Sequence, residues 1–144
     1  MHRYQILIEY VGTGFIGWQI QSKGRSIQKL IQSKISKILK TRIKIIGSGR
    51  TDTGVHAIEQ SAHFDCKKKI ENLGKFLNSI NYFLNDRLIS IINIKKKNLD
   101  FHARFSAKER IYRYIIFNRV SAPSIEKNKG WHIKKKLDLK VMKK

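Results

Sequence analysis

The residues with the clearest chemical capacity lie in one stretch, Gly47-Ser48-Gly49-Arg50-Thr51-Asp52-Thr53-Gly54-Val55-His56-Ala57. It follows the apolar run Ile43-Lys44-Ile45-Ile46 and precedes a second strand-like run, so it reads as a loop between two strands. Its glycines permit a close approach to another molecule. Arg50 supplies a cation and Asp52 a carboxylate, whose charged form a neighbouring guanidinium favours. A charged carboxylate in such a loop can serve as nucleophile or base. The plainer alternative is turn chemistry with a surface ion pair.

The elements that must position this loop are legible as periodicities. Tyr4–Tyr10 alternates as a strand. Gly12–Gln19 is glycine-rich but has no Lys-Ser/Thr after its last glycine, so it is not a P-loop. It reads as an aromatic-bearing turn packed on the sheet. Ser26 is a suitable N-cap for a helix over about 27–40, with Ile27, Leu30, Ile31, Ile35, Ile38 and Leu39 on one face. Gln28, Lys29, Lys34 and Lys37 are expected to face away. Strands are predicted at Arg42–Ile46, Ile58–Phe64 and Leu88–Ile94, and a second helix over about 72–84. The order β-α-β-β-α-β predicts an α+β fold, a ferredoxin-like or RRM-like split βαβ domain with an antiparallel sheet.

Beyond residue 100, Glu109–Phe117 alternates Tyr, Arg and Tyr before an apolar run and is predicted to be a strand. Tyr112, Arg113 and Tyr114 suit RNA, since rings stack on bases and guanidiniums hold phosphates. Packing of tyrosines at a core edge is the competing reading. Residues 118–130 read as a loop, and Leu137–Lys144 as the opening turns of a helix.

Composition narrows the function classes. The chain has 144 residues, room for one ordinary domain and a fragment of another. It is 41% hydrophobic and 10% aromatic, enough for a core and too much for a disordered chain. Thirty-one basic against 10 acidic residues give a net charge of +21, which attracts polyanions. AT-rich codon usage, visible in the Lys, Ile and Asn content, is a second source of lysine. The single cysteine, Cys66, excludes an intrachain disulfide and fits a reducing cytoplasm. His63 and Cys66 have a ligand-like gap but no second pair, so no metal is expected. No signal segment or apolar run of transmembrane length is evident, so a cytoplasmic protein without a membrane partner is expected.

Several blocks together resemble one family. Gly49-Arg50-Thr51-Asp52-Thr53-Gly54-Val55-His56-Ala57 resembles the signature of the TruA family of tRNA pseudouridine synthases. Glu9-Tyr10, the Gly12–Gln19 loop and Ser26-Ile27-Gln28 resemble its opening. Asp100–Ala107, Tyr112–Ile116, Trp131-His132 and Leu137-Asp138 resemble its later blocks. Thr53 stands where alanine is common and Ile111 where a basic residue is common.

The resemblance implies isomerisation of uridine to pseudouridine at positions 38, 39 and 40 of the tRNA anticodon stem-loop, without cofactor or metal. It implies that Asp52 is the catalytic aspartate, acting on the ribose or the base as nucleophile or base. Arg50 would orient Asp52 and hold the nucleotide, and Tyr112 would stack on the uracil. It further implies a homodimer, and a first domain at 1–105 followed by the truncated start of a similar second domain at 106–144. The alternative is a basic RNA-binding remnant without turnover.

Overall fold

The fold comes from a computed structural model that describes residues 1–84 and 88–143. Lys144, the last residue of the predicted helical opening, lies outside the described residues. Contacts divide the chain into two units, Met1–Lys108 and Glu109–Lys144.

The first unit runs β1 (His2–Tyr10), α1 (Ile27–Leu39), β2 (Ile45–Gly47), β3 (Ala57–Cys66), α2 (Leu73–Leu84) and β4 (Ile89–Lys97). The strands form one antiparallel sheet in the order β2-β3-β1-β4. This is the split βαβ, ferredoxin-like arrangement predicted from the element order. Alternation along β1 sends Tyr4, Ile6, Ile8 and Tyr10 into the core, where Ile27, Ile31 and Ile35 of α1 and Phe76, Ile80 and Leu84 of α2 meet them. Each such side chain contributes roughly 1.5–3 kcal/mol by leaving water.

Two irregularities shape the sheet. Ile8 pairs with Ile91 and Leu7 with Asn93, so Ile92 is an extra residue in β4. That bulge lets Ile91 and Ile94, three apart, both reach the core. Ile8 pairs with Gln60 and Tyr10 with Ala57, which places another extra residue in β3 beside the Arg50-Asp52 loop.

Gln28 departs from its expected outward position. Its Nε2 donates to the Ile45 carbonyl at 2.8 Å, and Gln32 Oε1 accepts the Ile45 amide at 3.2 Å. The edge strand β2 lacks a ladder partner on that side, and α1 supplies one in side-chain form. β2 also begins later than predicted, at Ile45.

In the second unit β5 (Ile116–Asn118) pairs in parallel with β6 (Trp131–Ile133), and α3 (Leu139–Met142) follows with Asp138 as its N-cap. Asn118 Nδ2 ties the carbonyls of Ile133 and Lys135 together at 2.9 and 2.7 Å. The strand predicted from Glu109 is corrected here. Glu109–Ile115 is irregular and exposed, and only the final apolar residues pair. Alternation makes a segment compatible with a sheet, but a strand also needs a ladder partner, and here the ladder with β6 runs only from Ile116, with the Trp131 amide reaching back to the Ile115 carbonyl at 2.8 Å.

Candidate active site

The loop between β2 and β3 is held by a second loop as well as by a turn of its own. Gly12–Trp18 lies against it: the Trp18 amide donates to the Thr51 carbonyl at 3.0 Å, and the Gly54 amide to Phe15 O at 3.4 Å. The Gly12 amide donates to Nδ1 of His56 at 2.9 Å. Two glycines are required for this approach. A Cβ on Gly12 would collide with the Val55 carbonyl, and one on Gly17, at φ 101°, with that of Thr51. Phe15 and Trp18 are buried, and Trp18 stacks on Tyr10 with ring centroids 6.2 Å apart. The glycine-rich stretch is therefore the aromatic-bearing turn expected from its sequence.

Beneath the loop lies a buried polar chain. The Tyr10 hydroxyl donates to Gln60 Oε1 at 3.0 Å and bonds Thr51 Oγ1 at 2.8 Å. Gln60 Nε2 donates to the Gly49 carbonyl at 3.0 Å. Burial pushes the Tyr10 phenol above its ordinary pKa, and the Thr51 hydrogen bond offsets part of that rise. Val55 closes the loop by donating its amide to Asp52 O at 3.2 Å.

Arg50 and Asp52 both point to solvent from this scaffold. No ion pair joins them among the described residues. Tyr112 belongs to the other unit, in the irregular 109–115 segment, and is 70% exposed. Arg50 and Asp52 are thus brought together on one loop, and Tyr112 lies in the second unit. Among the described residues no three His, Cys, Asp or Glu side chains gather as metal ligands. No described helix is long and apolar enough to cross a membrane.

Sequence reasoning did not single out Tyr10 and Gln60 as site residues. The available signal was a glutamine at an inward-facing strand position, an unusual place for an amide that lacks a partner.

The sequence that builds this arrangement, an acid and a guanidinium displayed on a loop over a polar clamp, is similar to known proteins. The family model for tRNA pseudouridine synthase covers residues 6–106. The chain belongs to that family. It is 70% identical over 144 residues to tRNA pseudouridine synthase A of Pelagibacter ubique (strain HTCC1062), covering 100% of this chain and 58% of that protein. The corresponding protein of Ehrlichia ruminantium (strain Gardel) is 44% identical over 141 residues, 97% of this chain and 57% of its own. That of Neorickettsia sennetsu (strain ATCC VR-367 / Miyayama) is 41% identical over 140 residues, 97% of this chain and 58% of its own. The chain therefore spans less than three-fifths of the length of these curated pseudouridine synthases.

Proposed function

We propose that this chain carries the Asp-bearing part of a tRNA pseudouridine synthase that converts uridine to pseudouridine at positions 38, 39 and 40 of the anticodon stem-loop. The observation that supports it best is Asp52, exposed on a loop braced from below and from the side, within a chain of this family. In the isomerisation the C1′–N1 bond breaks, the uracil turns, and C1′ bonds C5. The proton leaving C5 and the one gained at N1 balance, so the step is redox-neutral. Asp52 acts as nucleophile or base on the ribose or the base. Arg50 orients that carboxylate and holds the flipped nucleotide by charge. Tyr112 stacks on the uracil and assists proton removal at C5. A uridine inside a helix must leave the stack before it reaches Asp52.

Residues 1–105 are then a first synthase domain and 106–144 belong to a second. The working enzyme is a cytoplasmic homodimer on tRNA. The net charge of +21 suits a phosphate-rich substrate.

The test is incubation of the 144-residue chain with unmodified tRNA, followed by chemical mapping of pseudouridine, with Asp52→Ala alongside. Conversion by the parent chain and none by Asp52→Ala, with tRNA binding retained in both, is the expected result. Equal conversion by both would remove Asp52 from the chemistry. Salt-sensitive tRNA binding without conversion by either would leave the inactive RNA-binding remnant.

A further inference from the structure

Residues alternate across the loop. The Gly49 carbonyl and the Thr51 side chain turn inward to the clamp, while Arg50 and Asp52 turn outward to solvent. The clamp also has a fixed direction. Gly49 O can only accept, so Gln60 must present its NH₂ there and its Oε1 to Tyr10. The single phenolic proton is thereby committed to Gln60, and the Thr51 hydroxyl must donate to the Tyr10 oxygen. Tyr10 is 2% exposed and Gln60 8%, so water cannot readily replace a lost partner. Each bond spans a long stretch of chain: 41 residues separate Tyr10 from Thr51, and 50 separate it from Gln60. The extra residue in β3 between Ala57 and Gln60 sits at the point where the two side chains meet.

We propose that Tyr10 and Gln60 are positioning residues that, with Thr51, clamp the backbone on both sides of Arg50 and so aim Arg50 and Asp52 at the substrate. This rests on the reading of Asp52 as the catalytic carboxylate. Neither Tyr10 nor Gln60 touches the substrate. Their effect passes through the loop backbone, where a small displacement of a catalytic group weakens the chemical step far more than it weakens binding.

The decisive measurement is single-turnover pseudouridine formation at saturating tRNA, beside the tRNA dissociation constant, for Tyr10→Phe, Thr51→Val and Thr51→Ser. Tyr10→Phe removes the hydroxyl but keeps the ring against Trp18. The expected result is a saturating rate lowered about tenfold or more with a dissociation constant within about twofold of the parent, because position rather than binding is lost. Thr51→Ser, which keeps the donor, should recover most of what Thr51→Val loses. Parent-like rates in both Tyr10→Phe and Thr51→Val would overturn the proposal, as would a loss carried wholly by the dissociation constant.

Amide hydrogen exchange keeps this separate from the activity itself. If the parent chain makes no pseudouridine, the catalytic reading fails, and the clamp is judged by exchange at Trp18 and Val55. Tyr10→Phe should then speed those amides about tenfold while Ile6 and Ile8 keep their protection. Unchanged exchange would overturn the clamp. Should Tyr10→Phe fail to fold, Thr51→Val alone carries both readouts.

Discussion

His63 and Arg3 show how single side chains fasten the end of the first unit. Arg3 forks onto Asp65 with both contacts at 2.7 Å, and its remaining nitrogen binds the carbonyls of Leu99 and Phe101. His63, 1% exposed, accepts the Ala103 amide on Nδ1 at 3.1 Å and packs edge-on to His102. Protonation of Nδ1 would destroy that acceptor. Burial first, then the charge of Arg3 and the proximity of His102, lower the His63 pKa to about 4, with Asp65 opposing. An unfolded histidine titrates near 6.5, so between these values the unfolded chain binds more protons and stability rises with pH. The His63 contribution is complete above about pH 6.5 and is lost as pH falls toward 4. Thermal and urea unfolding between pH 7 and 4.5 should show a loss of about 2–3 kcal/mol that His63→Gln largely removes. The Arg3 hydrogen bond lowers the Asp65 pKa, so the loss of that pair falls at lower pH still. A parent and variant with superimposable pH profiles would contradict this assignment.

At the scale of elements, both sheet edges are finished by helix side chains. Gln28 and Gln32 of α1 satisfy Ile45 on β2, and Asn81 of α2 both donates to and accepts from Ile91 on β4, at 2.9 and 2.8 Å. An edge closed in this way offers fewer open groups to another chain. The same helices therefore pack the core, cap the edges and set the sheet that carries the loop. α1 itself is well started and poorly ended. Ser26 caps its first turn, but Lys40 holds the left-handed conformation at φ 51°. That conformation strains a residue with a Cβ, so Lys40→Gly should raise unfolding free energy by about 1 kcal/mol in urea titrations. A lower stability would mean that the backbone freedom of glycine outweighs the relieved strain.

For the molecule as a whole, charge dominates. The lysines at 67–69, 95–96 and 134–136 are exposed, and the chain carries +21. If lysines and arginines neutralise about five phosphates, a fourfold rise in salt should weaken tRNA binding on the order of 10²-fold. Titrations at several salt concentrations read the slope directly. A change below about threefold would mean that contacts other than phosphates hold the RNA.

Local pattern carried much of this protein. The 3.6 and 2.0 periodicities marked both helices and all four strands of the first unit, and their order alone specified the sheet topology. Arg50 and Asp52 were evident because charged residues in a glycine-rich turn stand out without any knowledge of neighbours. What periodicity could not reach were features made by register. Glu109–Ile115 alternates like a strand yet forms none, because a strand depends on a partner elsewhere in the chain and the ladder with β6 begins only at Ile116. The bulge at Ile92, the turn of Gln28 toward β2, and the Tyr10–Gln60 clamp all depend on which residue meets which across separate elements. The sequence by itself determined the elements of the first unit and the residue types that the loop displays. Only the tertiary structure decided how that loop is held, because its hydrogen bonds join side chains brought together by strand pairing.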